Sequence, residues 1–511
     1  MAATQLGSLV TNETTNSVWE SLQDLINNSS PSKKRLIGTA LASTVVCAYL
    51  LKRYRKNKND FEELPHAHWL KGHMEHISKY DSIGKALQSL YKESGRPAIA
   101  YFRTYLRRNL ILFNIREMKE LFQTQGSKSS LRPNTLPLYL ESVNKGLLQS
   151  SGPVWKMNRQ VFHSYMRSWG REKQLELIIN ETKHFISALV EAKSLEPTEL
   201  LQKAVGNIIA TFILGSRFDY ADPEFQAIVD SVTKFNARNT FLPTFMFKLL
   251  SPFFPSLKNR AKGITDMRNY LKRKIEARIK IGVKQPPETL IDAYALESSA
   301  TGNQIDFENL EIVIYDLFFA GLETTSTTLA WFLTAVVQNA EIQDKMFDEI
   351  SREIGDDKIE PDDFKKLPYT VAVQLEVQRY GAIAQNTILH KMETALKLSS
   401  GKTISKNQFV TASLYTIMRD PSYFKSPEQF DPDNFLDENG KVRSNMETFV
   451  PYGIGPRVCL GQSLADLELK VFIIELIRKF HISSDENIDL TKRIQKITNS
   501  PSPYTFNFSE R

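Results

Sequence analysis

The chain has 511 residues, of which 41% are hydrophobic and 24% charged, a globular composition with enough apolar residues for a sizeable core. Two cysteines, Cys47 and Cys459, exclude a disulfide framework and a zinc site built on several thiolates, and they fit a reducing compartment for the main body. The net charge of +7 favours anionic lipid or an acidic protein partner; no nucleic-acid-binding motif or basic domain accompanies it, so nucleic acid is not expected.

Residues 36–51 form an uncharged, mostly apolar run. As a helix it spans about 24 Å, short of the ~30 Å hydrocarbon core. Lys34, Arg35, Lys52 and Arg53 flank it and extend its reach by snorkelling. The run reads as a single transmembrane anchor, with a buried core helix as the competing reading. A cleaved signal peptide is disfavoured, because the run starts late and no small-residue cleavage site fits before Lys52. Lys52, Arg53, Arg55, Lys56 and Lys58 outweigh Lys33, Lys34 and Arg35, which predicts a cytosolic C-terminal body and a luminal tail over residues 1–35. That tail carries glycosylation acceptor patterns at Asn12, Asn27 and Asn28. Residues 52–65 read as a basic linker and residues 66–511 as the body. His66, His68, His73 and His76 read as a surface linker segment rather than a metal cluster.

Trp155 and Arg159 are four apart, which places both on one helix face. Residues 240–254 are rich in aromatics and read either as core or as a loop that dips into a membrane. Residues 307–339 lack proline and predict a long buried helix. Its middle, Ala320-Gly321-Leu322-Glu323-Thr324-Thr325-Ser326-Thr327-Thr328, holds a glycine and four threonines, each costing up to about 1 kcal/mol against Ala in a helix interior. Threonine hydroxyls there can bond the carbonyl one turn back. The stretch is either a weak structural turn or a place where function needs room. Glu376 and Arg379 form an i,i+3 pair that, alone, reads as an ordinary surface helix pair.

The informative stretch is residues 449–461, where Gly453, Gly455, Gly461, Pro451 and Pro456 impose a tight, irregular backbone. Cys459 stands just before a helix that opens near Ser463. The helix dipole, nearby N–H groups and Arg457 are expected to lower the thiol pKa and favour thiolate. A redox-sensing thiol, a catalytic nucleophile and a buried small hydrophobe all remain open for a bare cysteine here.

This loop resembles the cytochrome P450 signature, aromatic-Gly-x-Gly-x-Arg-x-Cys-x-Gly, with Tyr452 where the family usually has Phe. Trp155 and Arg159 resemble Trp-x-x-x-Arg, Glu376 and Arg379 resemble Glu-x-x-Arg, and residues 430–435 resemble Phe-x-Pro-x-Arg-Phe with Asn434 in place of Arg. Residues 320–324 resemble Ala-Gly-x-(Asp/Glu)-Thr. The resemblance implies a mainly α fold with small β-sheets, preceded here by one N-terminal transmembrane helix. It implies haem b with Cys459 as axial ligand, and a thiolate that pushes electron density to favour O–O cleavage. Trp155 and Arg159 would hold a haem propionate and His390 would contact another, while Arg457 and the aromatic face of Tyr452 would bind the cofactor near the sulfur. Ala320 and Gly321 would let haem and dioxygen approach closely. Thr324 would hydrogen-bond dioxygen and Glu323 would relay protons. Glu376, Arg379 and Asn434 would brace the core behind the haem, with Asn434 as an uncharged third member. Phe318, Phe319, residues 382–385 and residues 500–506 would line the substrate pocket.

The implied function is insertion of one oxygen atom into a lipophilic substrate (a sterol, fatty acid, terpenoid or xenobiotic). Electrons would come from NADPH through NADPH-cytochrome P450 reductase, with cytochrome b5 as a second donor, at the endoplasmic reticulum membrane. Two rivals stand beside it. A haem-thiolate isomerase or synthase would need no reductase and would tend to lose the acid–alcohol pair. A non-catalytic haem- or sterol-binding membrane protein would need no proton relay.

Overall fold

The computed structural model describes residues 61–105, 107–133, 144–236, 255–302, 305–444 and 446–511. The expected anchor at 36–51, its luminal tail, most of the basic linker and the aromatic segment 240–254 lie outside these residues. Among the described residues no helix is long and apolar enough to cross a membrane. Residues Phe61–Arg511 form one folded unit.

The body opens with two short helices, α1 (Met74–Ile77) and α2 (Ile83–Glu93). The Ser82 hydroxyl starts α2 by accepting the Lys85 N–H. Strands β1 (Ile99–Thr104) and β2 (Arg107–Leu112) pair antiparallel, Ile99 opposite Leu112. Helix α3 (Ile115–Lys119) is capped by Asn114. Helix α4 (Gly152–Ala192) is broken at Gly170, where φ is +69°, a conformation glycine adopts without steric cost. Strand β3 (Ser194–Leu195) precedes α5 (Thr198–Leu214), α6 (Pro223–Asn236), α7 (Pro255–Ile281) and α8 (Leu290–Ala300). A reciprocal Thr289–Asp292 capping box begins α8.

The predicted long helix is α9 (Phe307–Gln338), capped by Asp306 and ending one residue before the expected limit. Helices α10 (Ala340–Glu353) and α11 (Pro368–Gly381) follow, then strands β4 (His390–Lys391), β5 (Leu396–Lys397), β6 (Thr403–Ile404) and β7 (Phe409–Ala412). A short α12 (Leu414–Ile417) leads through an irregular stretch to α13 (Gln462–Lys479). Strands β8 (Phe480–Ser483), β9 (Arg493–Gln495), β10 (Asn499–Pro501) and β11 (Phe506–Glu510) complete the chain. The architecture is mainly helical with small sheets.

Strand β7 pairs parallel with β2, Leu110 opposite Val410, so the intervening helical body forms the crossover. Strand β4 pairs antiparallel with β7, which fixes His390 opposite Val410. Strand β11 lies between β3 and β8, and β9 and β10 form a hairpin. Helix α9 is the centre of the larger core. Its Leu329, Trp331, Phe332 and Val336 are buried, and it packs on α5, α11, α13 and β10. Each such side chain contributes about 1.5–3 kcal/mol by leaving water.

The histidine segment departs from expectation. It belongs to the folded body, not to a surface linker. His73 is fully buried, accepting the Arg103 N–H at 2.9 Å through Nδ1, and its Nε2 meets the Leu64 carbonyl at 3.0 Å. The rings of His66 and His76 stack at 5.4 Å. Pro65 reads as a linker signal, but the chain on either side of it joins β1 through backbone hydrogen bonds. Among the described residues no group of His, Cys, Asp and Glu side chains could hold a metal ion.

Candidate active site

The cysteine loop is shaped by two glycines in the left-handed region, Gly453 at φ +73° and Gly455 at φ +78°. A Cβ at Gly455 would land on the Phe122 carbonyl oxygen, so only glycine fits there. The Cys459 N–H donates to the Tyr452 carbonyl at 3.0 Å and the Val458 N–H to the Gly455 carbonyl at 3.0 Å. The loop thus closes on itself and presents the cysteine shortly before α13 begins at Gln462.

The Cys459 side chain is solvent-accessible although protein crowds around it. Its pKa differs from the sequence expectation. Burial pushes the thiol up, and this outweighs the downward pull of the Gly461 and Gln462 N–H groups and of Arg159. The helix terminus contributes as expected, but desolvation of an anion is the larger effect.

Beside the loop three arginines converge. Arg457 donates to the carbonyls of Ser130 (2.9 Å), Ser150 (2.7 Å) and Leu147 (3.4 Å), and its guanidinium lies 4.0 Å from the centre of the Trp155 ring. Arg159 donates to the Val458 carbonyl at 3.1 Å and lies 5.8 Å from the same ring. Arg132 donates to the carbonyls of Ile388 and Leu389. Its Nε is buried without a hydrogen-bond partner. All these bonds go to carbonyls; among the described residues no carboxylate pairs with any of the three. Burial, with Arg132 and Arg159 adding repulsion, pushes Arg457 down to about 8. Burial pushes Arg132 down to about 9.

Uncompensated cations inside a protein are costly. A cluster of three with an orphaned donor is suited to a ligand carrying carboxylates. His390 closes the group. Its Nδ1 donates to the Ser129 carbonyl at 2.6 Å, and its ring stacks on Phe122 at 4.1 Å. Burial, reinforced by Arg132 and Arg457, holds its pKa well below the usual value, so the ring is neutral and Nε2 is an acceptor. A carboxylate at Nε2 would require the ring to gain a proton.

Helix α9 opens to space on one narrow face. Leu317 and Ala320 are half-buried and Thr324 is exposed, at i, i+3 and i+7, while most of the surrounding turns are buried. The Thr324 hydroxyl donates to the Ala320 carbonyl at 2.8 Å, the back-bonding expected of this sequence. Thr325, its neighbour, bonds the buried Glu468 of α13, tying this helix to the cysteine helix. The space a Cβ at Gly321 would need is taken by Ile209 of α5, so the glycine admits that neighbouring helix. Phe318 departs from expectation: it is fully buried in the core, away from the open face.

Glu323 is buried, 3% exposed, and turns away from the Thr324 hydroxyl. It accepts from Gln202 Nε2 of α5 at 3.1 Å, from Thr498 Oγ1 of the β9–β10 turn at 3.0 Å and from Thr327 Oγ1 at 3.3 Å. Burial raises its pKa against the opposing charge of Lys496 and these hydrogen bonds. It is therefore a carboxyl able to hold a proton closer to neutrality than a solvated glutamate.

Behind the loop, Glu376 and Arg379 are fully buried and form a two-point pair, both contacts 2.7 Å. Arg379 also donates to the carbonyls of Met418, Pro427 and Gln429. Glu376 accepts the Asp431 N–H at 2.8 Å. Asn434 differs from expectation. It is buried, but its Nδ2 has no partner, so the Asp431 backbone takes the expected third place in the network. Tyr452 donates to Asp466 Oδ1 at 2.6 Å and accepts from Gln378 Nε2 at 2.7 Å.

Sequence reasoning missed Arg132, Gln202, Thr498, Asp466 and Glu468. Only Glu468 carried a signal: a carboxyl on the apolar face of α13, beside Leu464, Leu467 and Val471. The others come together from distant parts of the chain.

The cytochrome P450 family model matches residues 63–508. The chain belongs to the cytochrome P450 family. It is similar to cytochrome P450 2B12 of Rattus norvegicus, 32% identical over 418 residues, which cover 79% of this chain and 85% of the relative. Cytochrome P450 2B19 of Mus musculus is 33% identical over 382 residues, covering 72% and 77%. Cytochrome P450 2U1 of Homo sapiens is 30% identical over 423 residues, covering 79% and 77%. The protein is a cytochrome P450 monooxygenase. Family membership implies haem, and the arginine cluster beside an accessible thiol fits a ligand that brings both a metal and carboxylates.

Proposed function

We propose that this P450 inserts one atom of dioxygen into a lipophilic substrate, using NADPH-derived electrons from a membrane reductase. The carrying observation is the pairing on α9 of an accessible hydroxyl, Thr324, with a buried, proton-holding carboxyl, Glu323. An isomerase or synthase needs no such pair. Haem supplies dioxygen activation and one-electron chemistry when bound. Cys459 would hold its iron through sulfur, and Arg457, Arg159, Arg132 and Trp155 would hold its propionates. The neutral state of His390 makes it an adjustable neighbour of those carboxylates.

The residues would divide the work. Ala320 and Leu317 leave the helix face open around Thr324. Thr324 releases its bond to the Ala320 carbonyl to donate into that space. Glu323, held in the wall by Gln202, Thr327 and Thr498, stores a proton for that hydroxyl and must swing from these partners to deliver it. Buried walls keep bulk water from flooding the site. Residues 36–51 would anchor the chain in the endoplasmic reticulum membrane with the catalytic body cytosolic. The apolar run supports this, and a chain that washes off membranes in salt and carbonate would overturn it.

The deciding experiment reconstitutes the full chain with haem, NADPH-cytochrome P450 reductase and lipid. Lipophilic compounds are screened by the shift of the haem Soret band. Binders should give oxygenated product in an NADPH-dependent reaction. Turnover of a peroxide substrate without reductase, with no NADPH-dependent product, would favour the isomerase reading. Cys459→Ser should abolish the red-shifted reduced carbon-monoxide band of thiolate ligation, and its survival would remove Cys459 as ligand.

A further inference from the structure

Tyr452 stands where the loop pattern usually carries Phe, and its hydroxyl is fully engaged. It donates to Asp466 Oδ1 on α13 at 2.6 Å and accepts from Gln378 Nε2 on α11 at 2.7 Å. Gln378 also reaches Asp466 Oδ1 at 3.3 Å. The Tyr452 carbonyl accepts the N–H of Cys459 itself at 3.0 Å. Three elements therefore meet behind the cysteine: its own loop, the helix that follows it, and the helix carrying Glu376 and Arg379.

The geometry is that of a clasp. Gln378 is buried, and among the described residues its Oε1 has no partner and its side chain bonds only Tyr452 and Asp466. Burial, then the Asp466 charge, holds the Tyr452 phenol well above its usual range, so it remains a donor. Asp466 is half-buried and makes no ion pair among the described residues. Tyr452 joins this carboxylate to the cysteine, bonding Asp466 through its hydroxyl and the Cys459 N–H through its carbonyl. A fixed carboxylate near an electron-accepting centre disfavours the added electron. With a Phe at 452 the carboxylate would lose its shortest hydrogen bond and be free to turn toward water, where its field is screened.

We propose that Tyr452 and Gln378 hold the Asp466 carboxylate behind the cysteine loop, where its charge lowers the reduction potential of the bound haem. The proposal rests on Cys459 as the haem ligand. Tyr452, Gln378 and Asp466 are positioning residues; none touches the reacting atoms. A clasp that served packing alone would join the same three elements and leave the potential unmoved.

The test is a spectroelectrochemical titration of the haem-loaded protein, comparing wild type with Asp466→Asn, Tyr452→Phe and the double variant. Asp466→Asn should raise the ferric/ferrous midpoint by the equivalent of about three- to tenfold in the reduction equilibrium, ~30–60 mV for one electron. Tyr452→Phe should raise it by less. The double variant should match Asp466→Asn alone, because the hydroxyl acts through the carboxylate. Tyr452→Phe removes a single oxygen and restores the residue usual in the pattern, so it folds even where Asp466→Asn does not. Equal midpoints in wild type and Tyr452→Phe would overturn the clasp. So would a Tyr452→Phe shift that persists in full beside Asp466→Asn. The reduced carbon-monoxide band is recorded for every variant. Its absence from wild type would refute the ligation, whereas intact bands with unmoved midpoints would refute the clasp alone.

Discussion

Thr324 and Glu323 are neighbours in sequence but face different surroundings. The hydroxyl is on the open face and parked on the Ala320 carbonyl. The carboxyl is in the wall, held by Gln202, Thr327 and Thr498. Thr324→Ala should therefore leave haem content and substrate binding nearly intact while lowering product per NADPH and raising hydrogen peroxide. Loss of one positioned proton donor typically costs ~10²-fold or more in the step it serves. Thr325→Ala and Thr327→Ala are the controls, since both side chains are buried on other faces of the helix. Product, NADPH and peroxide are measured together, and equal coupling in wild type and Thr324→Ala would remove the hydroxyl from the relay. The pair is legible in the amino-acid sequence because its pattern is local. Gly321 is not, for the converse reason: a glycine's vacancy has a direction, and only packing shows that it faces Ile209.

Between elements, the cysteine loop and the α9–α13 contact decide whether the site exists. Gly455→Ala combines a strained left-handed residue, about 1–2 kcal/mol, with a backbone clash against Phe122. It should abolish haem incorporation while far-UV circular dichroism keeps its helical signal; normal haem content would show that the loop can relax. The second contact is a buried carboxyl without a cation. Burial pushes Glu468 up to about 8, against its hydrogen bond with Thr325. Its folded pKa thus exceeds the usual 4.5, so its stabilising contribution is complete below pH 4.5 and is lost as pH rises through about 8. Between those limits the wild type should lose up to about 1.4 kcal/mol per pH unit relative to Glu468→Gln. The variant's melting temperature should exceed that of wild type by more at pH 8 than at pH 5.5, and parallel curves would show that Glu468 does not titrate there. Helix α9 and the cysteine loop are legible in the sequence because their signals are local. Arg132 is not, because only the fold brings it beside Arg159 and Arg457. Asn434 misleads for a related reason: a motif fixes its position, while a backbone N–H from Asp431 takes its place in the network.

At the scale of the whole molecule, the question is how electrons arrive. An excess of positive charge, +7 over the chain, suits an acidic partner. Lys156, Arg167 and Lys470 are natural candidates for a docking face beside the cysteine. The structure distinguishes them. Lys156 and Arg167 are exposed on α4, the helix that also carries Trp155 and Arg159. Lys470 is half-buried, with its ammonium 5.4 Å from the centre of the Phe364 ring, and burial lowers its pKa. Surface cations steer association most strongly when exposed, and salt weakens them as the screening length falls from ~10 Å at 0.1 M to ~3 Å at 1 M. Reversing Lys156 and Arg167 to Glu should therefore slow reductase-dependent turnover at low salt and leave substrate binding unchanged. The deficit should shrink as salt rises, because the wild type loses its steering while the variant has little left to lose. Lys470→Glu should instead act on stability, since it places a carboxylate against an aromatic ring and beside Asp466. Rates of haem reduction by reductase across a salt series separate the two effects. A double-reversal variant that is reduced as fast as wild type at low ionic strength would move the docking face away from α4.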